Sequence, residues 1–82
     1  MNFDQVKTFI ESWGLTPENE WPTLPYPTVY QRMRDDATKQ YGEKFTKFLG
    51  RITETTDSQS YLTDDSWESV EESWEEYMVE NP

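Results

Sequence analysis

The chain has 82 residues, room for one domain with one small core, and it contains no cysteine and no histidine. That excludes disulfides, thiolate and imidazole metal sites, and the commonest catalytic bases and nucleophiles. A formal net charge of -10 argues against direct contact with DNA, RNA or anionic lipid, because like charges repel.

Residues 3 to 13 read as an amphipathic helix. Phe3, Val6, Phe9, Ile10 and Trp13 recur at helical spacing, Asn2 is a suitable N-cap, and Gly14 can end the helix. Thr16, Pro17 and Glu18 can open one further turn, with Pro17 in the first helical position. Residues 21 to 27 hold Pro22, Pro25 and Pro27, which remove backbone donors and keep the chain extended. This Pro-rich connector is expected to lay Trp21, Leu24 and Tyr26 across the other elements. Its Pro22-x-x-Pro25 pattern matches peptides that dock in aromatic grooves, but it lacks the basic residue of such ligands, so a structural connector is preferred.

A long helical pattern follows. Tyr30, Met33, Ala37, Tyr41, Phe45, Phe48 and Ile52 keep to one face. Gly42 and Gly50 each weaken that helix by about 1 kcal/mol relative to alanine, and Gly50 is a candidate C-cap. Residues 51 to 63 are rich in Thr and Ser. A loop is favoured there over a short β-hairpin pairing residues 51–55 with 59–63. In the last element, Asp65 and Glu68 have the spacing of a capping box. Trp67, Val70, Trp74, Tyr77 and Met78 form an apolar stripe, with Glu68, Glu71, Glu72, Glu75 and Glu76 on the other side.

Two compositional signals oppose each other. Leu, Ile, Val and Phe number only 14, which with such a charge is typical of disordered chains. Four Trp, five Tyr and four Phe argue for a fold, since each buries roughly 150–250 Å². The fold class expected is therefore mostly α: a small single domain over residues 1–82, with two or three main helices, the Pro-rich connector, and at most a short hairpin near residues 51–63. Trp67 and Trp74 are assigned to its core rather than to a partner's groove, because a core this poor in aliphatics needs them.

Charge divides the chain. Residues 1 to 50 carry seven acids and six bases, whereas residues 51 to 82 carry ten acids and one base, Arg51. Arg32, Arg34, Lys39, Lys44, Lys47 and Arg51 cluster within twenty residues. An intramolecular offset of the acidic helix is a better reading of them than a phosphate site, since nucleic-acid binders are usually basic as whole domains. Arg34 and Lys44 are expected to flank the apolar face.

Exposed helices usually mix charge signs, because Glu–Lys pairs four residues apart stabilise and like pairs repel. Here Glu68, Glu71, Glu72, Glu75 and Glu76 have no interleaved base, and Asp64 and Asp65 extend the row at its edge. Successive turns about 5.4 Å apart project these carboxylates on a scale comparable to the phosphates along a DNA strand. The two readings are a solvated face and a face for a basic partner. Asp57 and Glu68 have the outer spacing of a calcium loop, but Gln59, Tyr61 and Leu62 occupy positions that need ligands and glycine. Adjacent carboxylates on a helix diverge by about 100°, no phosphate-binding loop is present, and neither enzyme, cofactor nor metal is expected.

The leading functional expectation is a non-enzymatic inhibitor or regulator of a basic, nucleic-acid-handling protein, acting as a DNA or RNA mimic. In size and charge the chain looks like the small acidic inhibitors that phages and mobile elements make against host nucleic-acid enzymes, an analogy of composition that no motif carries. The rival is a structural or adaptor module whose aromatic helix face packs on a partner helix or a second copy. The first seven residues already include the polar Asn2, Asp4, Gln5 and Lys7, and no stretch approaches a membrane span, so a cytoplasmic protein is expected, in the host cytoplasm if its source is viral.

Overall fold

The computed structural model describes residues 1–17, 27–57 and 60–81. Most of the connector (residues 21–26) and Glu18 lie outside them. The described residues form four helices and a two-stranded hairpin, so the expectation of a mostly helical fold holds. In chain order these are α1 (Phe3–Ser12), α2 (Pro27–Tyr41), α3 (Glu43–Ile52), β1 (Thr53–Thr55), β2 (Ser60–Leu62) and α4 (Trp67–Glu80).

Both ends of α1 are closed by its own sequence. The Asn2 side chain accepts from the Gln5 backbone N–H at 3.0 Å, and the Asn2 N–H donates to Gln5 Oε1 at 3.0 Å. That reciprocal pair satisfies two otherwise orphaned donors. At the other end, Gly14 takes φ +85°. Its N–H donates to the Glu11 carbonyl, and that of Leu15 to the Ile10 carbonyl, the two bonds of a Schellman ending. The ending turns Leu15 into the core, where it is buried.

The long helix expected over residues 30–52 is two helices. Gly42 lies between them at φ 96°, ψ 172°, a backbone region that is essentially glycine-only. The apolar spacing continues across the break, which is why periodicity alone does not reveal it. The Thr38 and Thr46 hydroxyls meet at 2.6 Å across the joint. Gly50 is not a cap but an interior residue of α3. That helix runs on to Ile52 and is capped by Thr53 in extended conformation. Pro27 opens α2 rather than closing the connector, a position where its missing N–H costs nothing.

Helix α3 passes straight into the hairpin, the less favoured of the two expectations for residues 51–63. The strands are antiparallel, with Thr53 opposite Leu62, Glu54 opposite Tyr61 and Thr55 opposite Ser60. The threonines at 53 and 55, two of the three residues of β1, suit extended backbone. Beyond the strands, the backbone N–H and hydroxyl of Thr63 both donate to the Ile52 carbonyl, at 2.8 and 3.1 Å. Thr53, Ser60 and Leu62 face inward, while Glu54 faces solvent. The Tyr61 hydroxyl donates to Glu54 Oε2 at 2.5 Å. This bond and the adjacent negative charge raise the phenol's pKa above its ordinary 10.0.

The core draws on all four helices and β2. Its centre is aromatic, as the shortage of aliphatics requires. Phe48 meets Trp74 edge-on at 4.9 Å, Phe9 meets Phe45 at 5.2 Å, and Phe45 meets Trp74 at 6.3 Å. Such pairs contribute about 0.5–1.5 kcal/mol beyond their area burial. Tyr41, expected inside, stays 38% exposed at the edge of this cluster. No helix among the described residues is long and apolar enough to cross a membrane.

Candidate functional site

Helix α4 begins one residue later than its capping pattern suggests. Ser66, not Asp65, is the N-cap, and its hydroxyl accepts from the Ser69 N–H at 3.2 Å. Serine and aspartate cap equally well, so local propensity does not separate them. A nearby contact accompanies this choice: Asp64 accepts a hydrogen bond from the Ser73 hydroxyl at 3.2 Å, which ties the preceding turn to the side of the helix. Glu68 still lies in the first turn, where a negative charge suits the helix dipole.

The inward face of α4 is fully engaged. Val70, Trp74 and Tyr77 are buried, and Trp74 retains only 6% exposure. The Tyr77 hydroxyl donates to the Lys44 carbonyl at 2.9 Å, so burial leaves that polar group satisfied. Trp67 is half-buried, packs edge-on against Phe3 at 6.5 Å, and carries the Lys7 ammonium 5.5 Å from its ring centroid. Both tryptophans of this helix therefore belong to the core and its margin. Trp13 is likewise packed against the core, while Trp21 lies outside the described residues.

The outward face carries the charge. Glu68, Glu71, Glu72, Glu75 and Glu76 are all exposed, and among the described residues none of them forms an ion pair or a side-chain hydrogen bond. From Glu68 to Glu76 the row covers about 12 Å of helix axis, at about 1.5 Å per residue. Glu72, Glu75 and Glu76 share a shallow hollow with Val79 and Glu80. Asp65 is exposed just before the cap. Asp64 is set apart: it is half-buried, bonded to Ser73, and faces a polar hollow shared with Arg51 and Glu76.

Two members of this face were not among the predicted site residues. Val79 is 82% exposed, an aliphatic side chain amid the glutamates. Glu80 forms an ion pair with Arg51 at 3.1 Å. The signal for both was present, since positions 79 and 80 continue the register of Glu72 and Glu76 by seven and four residues.

Arg51 also lies over the Tyr77 ring at 5.3 Å. It supplies the cation that the last turn of α4 lacks in its own sequence, where a positive charge suits the dipole. The expected intramolecular offset is thus realised at one end of the row only. Arg34 and Lys44 are half-buried beside the apolar face, as expected, while Arg32, Lys39 and Lys47 are exposed. Arg34 lies over Tyr30 at 5.8 Å. Among the described residues, no base other than Arg51 reaches an α4 carboxylate.

Comparison with known protein families, with curated proteins and with solved structures finds no match to this chain.

Proposed function

We propose that this chain is a non-enzymatic inhibitor or regulator that binds a basic, nucleic-acid-handling protein, with the α4 glutamates occupying a groove that otherwise holds DNA or RNA phosphates. In kind it would belong with the anti-defence inhibitors of phages and mobile elements. One observation carries the reading: five exposed glutamates share the outer side of one helix, and among the described residues no base pairs with them. A helix whose inner face is locked by Trp74 and Tyr77 presents its carboxylates at fixed spacing, so little ordering entropy remains to be lost on binding. Long-range attraction would speed association, and added salt would weaken the complex.

The rival adaptor reading needs the aromatic stripe for a partner. That stripe is packed inside this molecule, with Trp74 buried and Trp67 against Phe3, which favours the acidic face. Sizing at low and high salt separates the two, because an assembly held by apolar contacts persists in high salt.

The direct test is capture of partners from cell lysate with and without competing duplex DNA, followed by inhibition assays on the captured enzyme. Glu68→Lys, Glu72→Lys and Glu76→Lys together should abolish capture and inhibition. Full inhibition by that triple variant, with its folded spectrum intact, overturns the proposal.

A further inference from the structure

A second hollow lies between α1 and the C-terminal end of α2, and it does not depend on the glutamate face. Asp4, Thr8 and Phe9 line it from α1, and Asp36, Gln40 and Tyr41 from α2. No lysine or arginine is among its lining residues. Tyr41 is partly exposed, yet its ring is fixed by two edge-on contacts, with Phe9 at 5.9 Å and 84° and with Phe45 at 5.5 Å and 88°. The exposed aromatic surface is therefore held in place before anything binds it.

Elsewhere, three rings of the core or its margin carry cations of the chain itself. Lys7 lies over Trp67, Arg34 over Tyr30 and Arg51 over Tyr77, each within 6 Å of the ring centroid. Among the described residues, no cation of the chain lies over Tyr41. The Asp4 carboxylate has no hydrogen-bond or ionic partner among them, and Asp36 accepts only from the neutral Gln40 amide, at 2.8 Å. The hollow thus combines a fixed, partly exposed ring with two carboxylates and no base of the chain among its lining residues.

We infer that this hollow receives an arginine side chain of a partner polypeptide, with the guanidinium on the Tyr41 ring and its N–H groups donating to Asp4 and Asp36. Arginine fits better than lysine. Its planar group stacks on aromatic rings, forks toward carboxylates and is more weakly hydrated than an ammonium.

The test is an amide NMR titration of the full chain at fixed ionic strength with N-acetyl-argininamide, its neutral isostere N-acetyl-citrullinamide, and N-acetyl-lysinamide. Saturable shifts at Thr8, Gln40 and Tyr41 are expected at concentrations on the order of millimolar for so small a ligand. The citrulline compound should bind roughly tenfold more weakly, and the lysine compound should also fall below the arginine one. Asp4→Asn with Asp36→Asn leaves the Tyr41 ring contacts in place and should reduce arginine binding by a similar factor. Shifts that do not saturate, or that citrulline reproduces, overturn the site. Equal binding by the lysine compound overturns the guanidinium assignment. If the double variant misfolds, the arginine–citrulline comparison on the unaltered chain still decides.

Discussion

The outer faces of α2 and α4 are both exposed helical surfaces dense in charge, and they handle repulsion in opposite ways. On α2, Gln31 donates to Asp35 at 3.3 Å and Gln40 to Asp36 at 2.8 Å, each pair four residues apart. Arg32, Arg34 and Lys39 are interleaved with those acids. On α4, Glu68–Glu72, Glu71–Glu75, Glu72–Glu76 and Glu76–Glu80 repeat like charges at the same spacing, and among the described residues only Glu80 pairs with a base. Each like pair destabilises by about 0.2–0.5 kcal/mol, so the face carries a penalty on the order of 1–2 kcal/mol. The buried side of the same helix outweighs it, since truncating one core tryptophan typically costs about 3–5 kcal/mol. An unfavourable surface can therefore be maintained by a favourable interior on the same element, and the surface is left free for another purpose.

The strongest way to break this comparison is to remove the interior that holds α4. Trp74→Ala should destabilise the fold by about 3–5 kcal/mol, a large part of the stability of a small domain. Urea unfolding followed by circular dichroism would register it as a much lower midpoint, and an unmoved midpoint would contradict the packing described for α4. Next is the joint that orients α3 beneath that helix. A side chain at Gly42 meets no atom within 4 Å, so the penalty of Gly42→Ala is conformational alone, about 1–3 kcal/mol, readable in the same experiment.

The comparison sharpens if the repulsion itself is removed. Glu72→Gln with Glu76→Gln should stabilise the chain by roughly 0.5–1.5 kcal/mol at low salt. That gain should largely vanish near 1 M salt, where the screening length is about 3 Å. Asp35→Asn on α2 should show no such gain, because it weakens a hydrogen bond and relieves no like-charge ladder. Thermal melts of the three proteins across a salt series provide the readout.

The smallest effect concerns an acid that did find a partner. The Tyr61 phenol, bonded to Glu54, has its folded pKa raised above 10.0. Its contribution to stability is therefore fully present below about pH 10 and is lost as pH rises through the raised folded value. Spectrophotometric titration of the phenolate should show Glu54→Gln moving Tyr61 back toward its ordinary pKa.

Much of the fold could be read in advance because the relevant physics is local. Asn2, Gly14 and the spacing of Phe3, Val6, Phe9 and Ile10 act within α1, and the two faces of α4 follow from a period of 3.6 residues. The misreadings arose where two local solutions were equally good. Asp65 and Ser66 both make sound caps. Gly42 and Gly50 carry the same propensity, yet one breaks a helix and the other lies inside one. Hairpin and loop differed only in whether residues 60–62 returned to pair with 53–55, a non-local event with weak sequence signature. Within the candidate site, the glutamates were legible from charge and register. Val79 and Glu80 continue the register beyond Met78, and the bond that ties Asp64 to Ser73 spans nine residues, outside the reach of local pattern.

The sequence by itself determined that the last third of the chain is acidic and that its final element is a two-sided helix, since charge, capping residues and apolar period are properties of neighbouring positions. Only the tertiary structure decided what each side does. Whether Trp67 and Trp74 face a core or a partner depends on whether Phe3, Phe45 and Phe48 arrive from distant parts of the chain to cover them. Whether the glutamates are neutralised depends on which bases fold within reach. Among the described residues only Arg51 forms an ion pair with an α4 carboxylate, at Glu80, while Lys7 and Arg34 lie over Trp67 and Tyr30 and Arg32, Lys39 and Lys47 are exposed on α2 and α3.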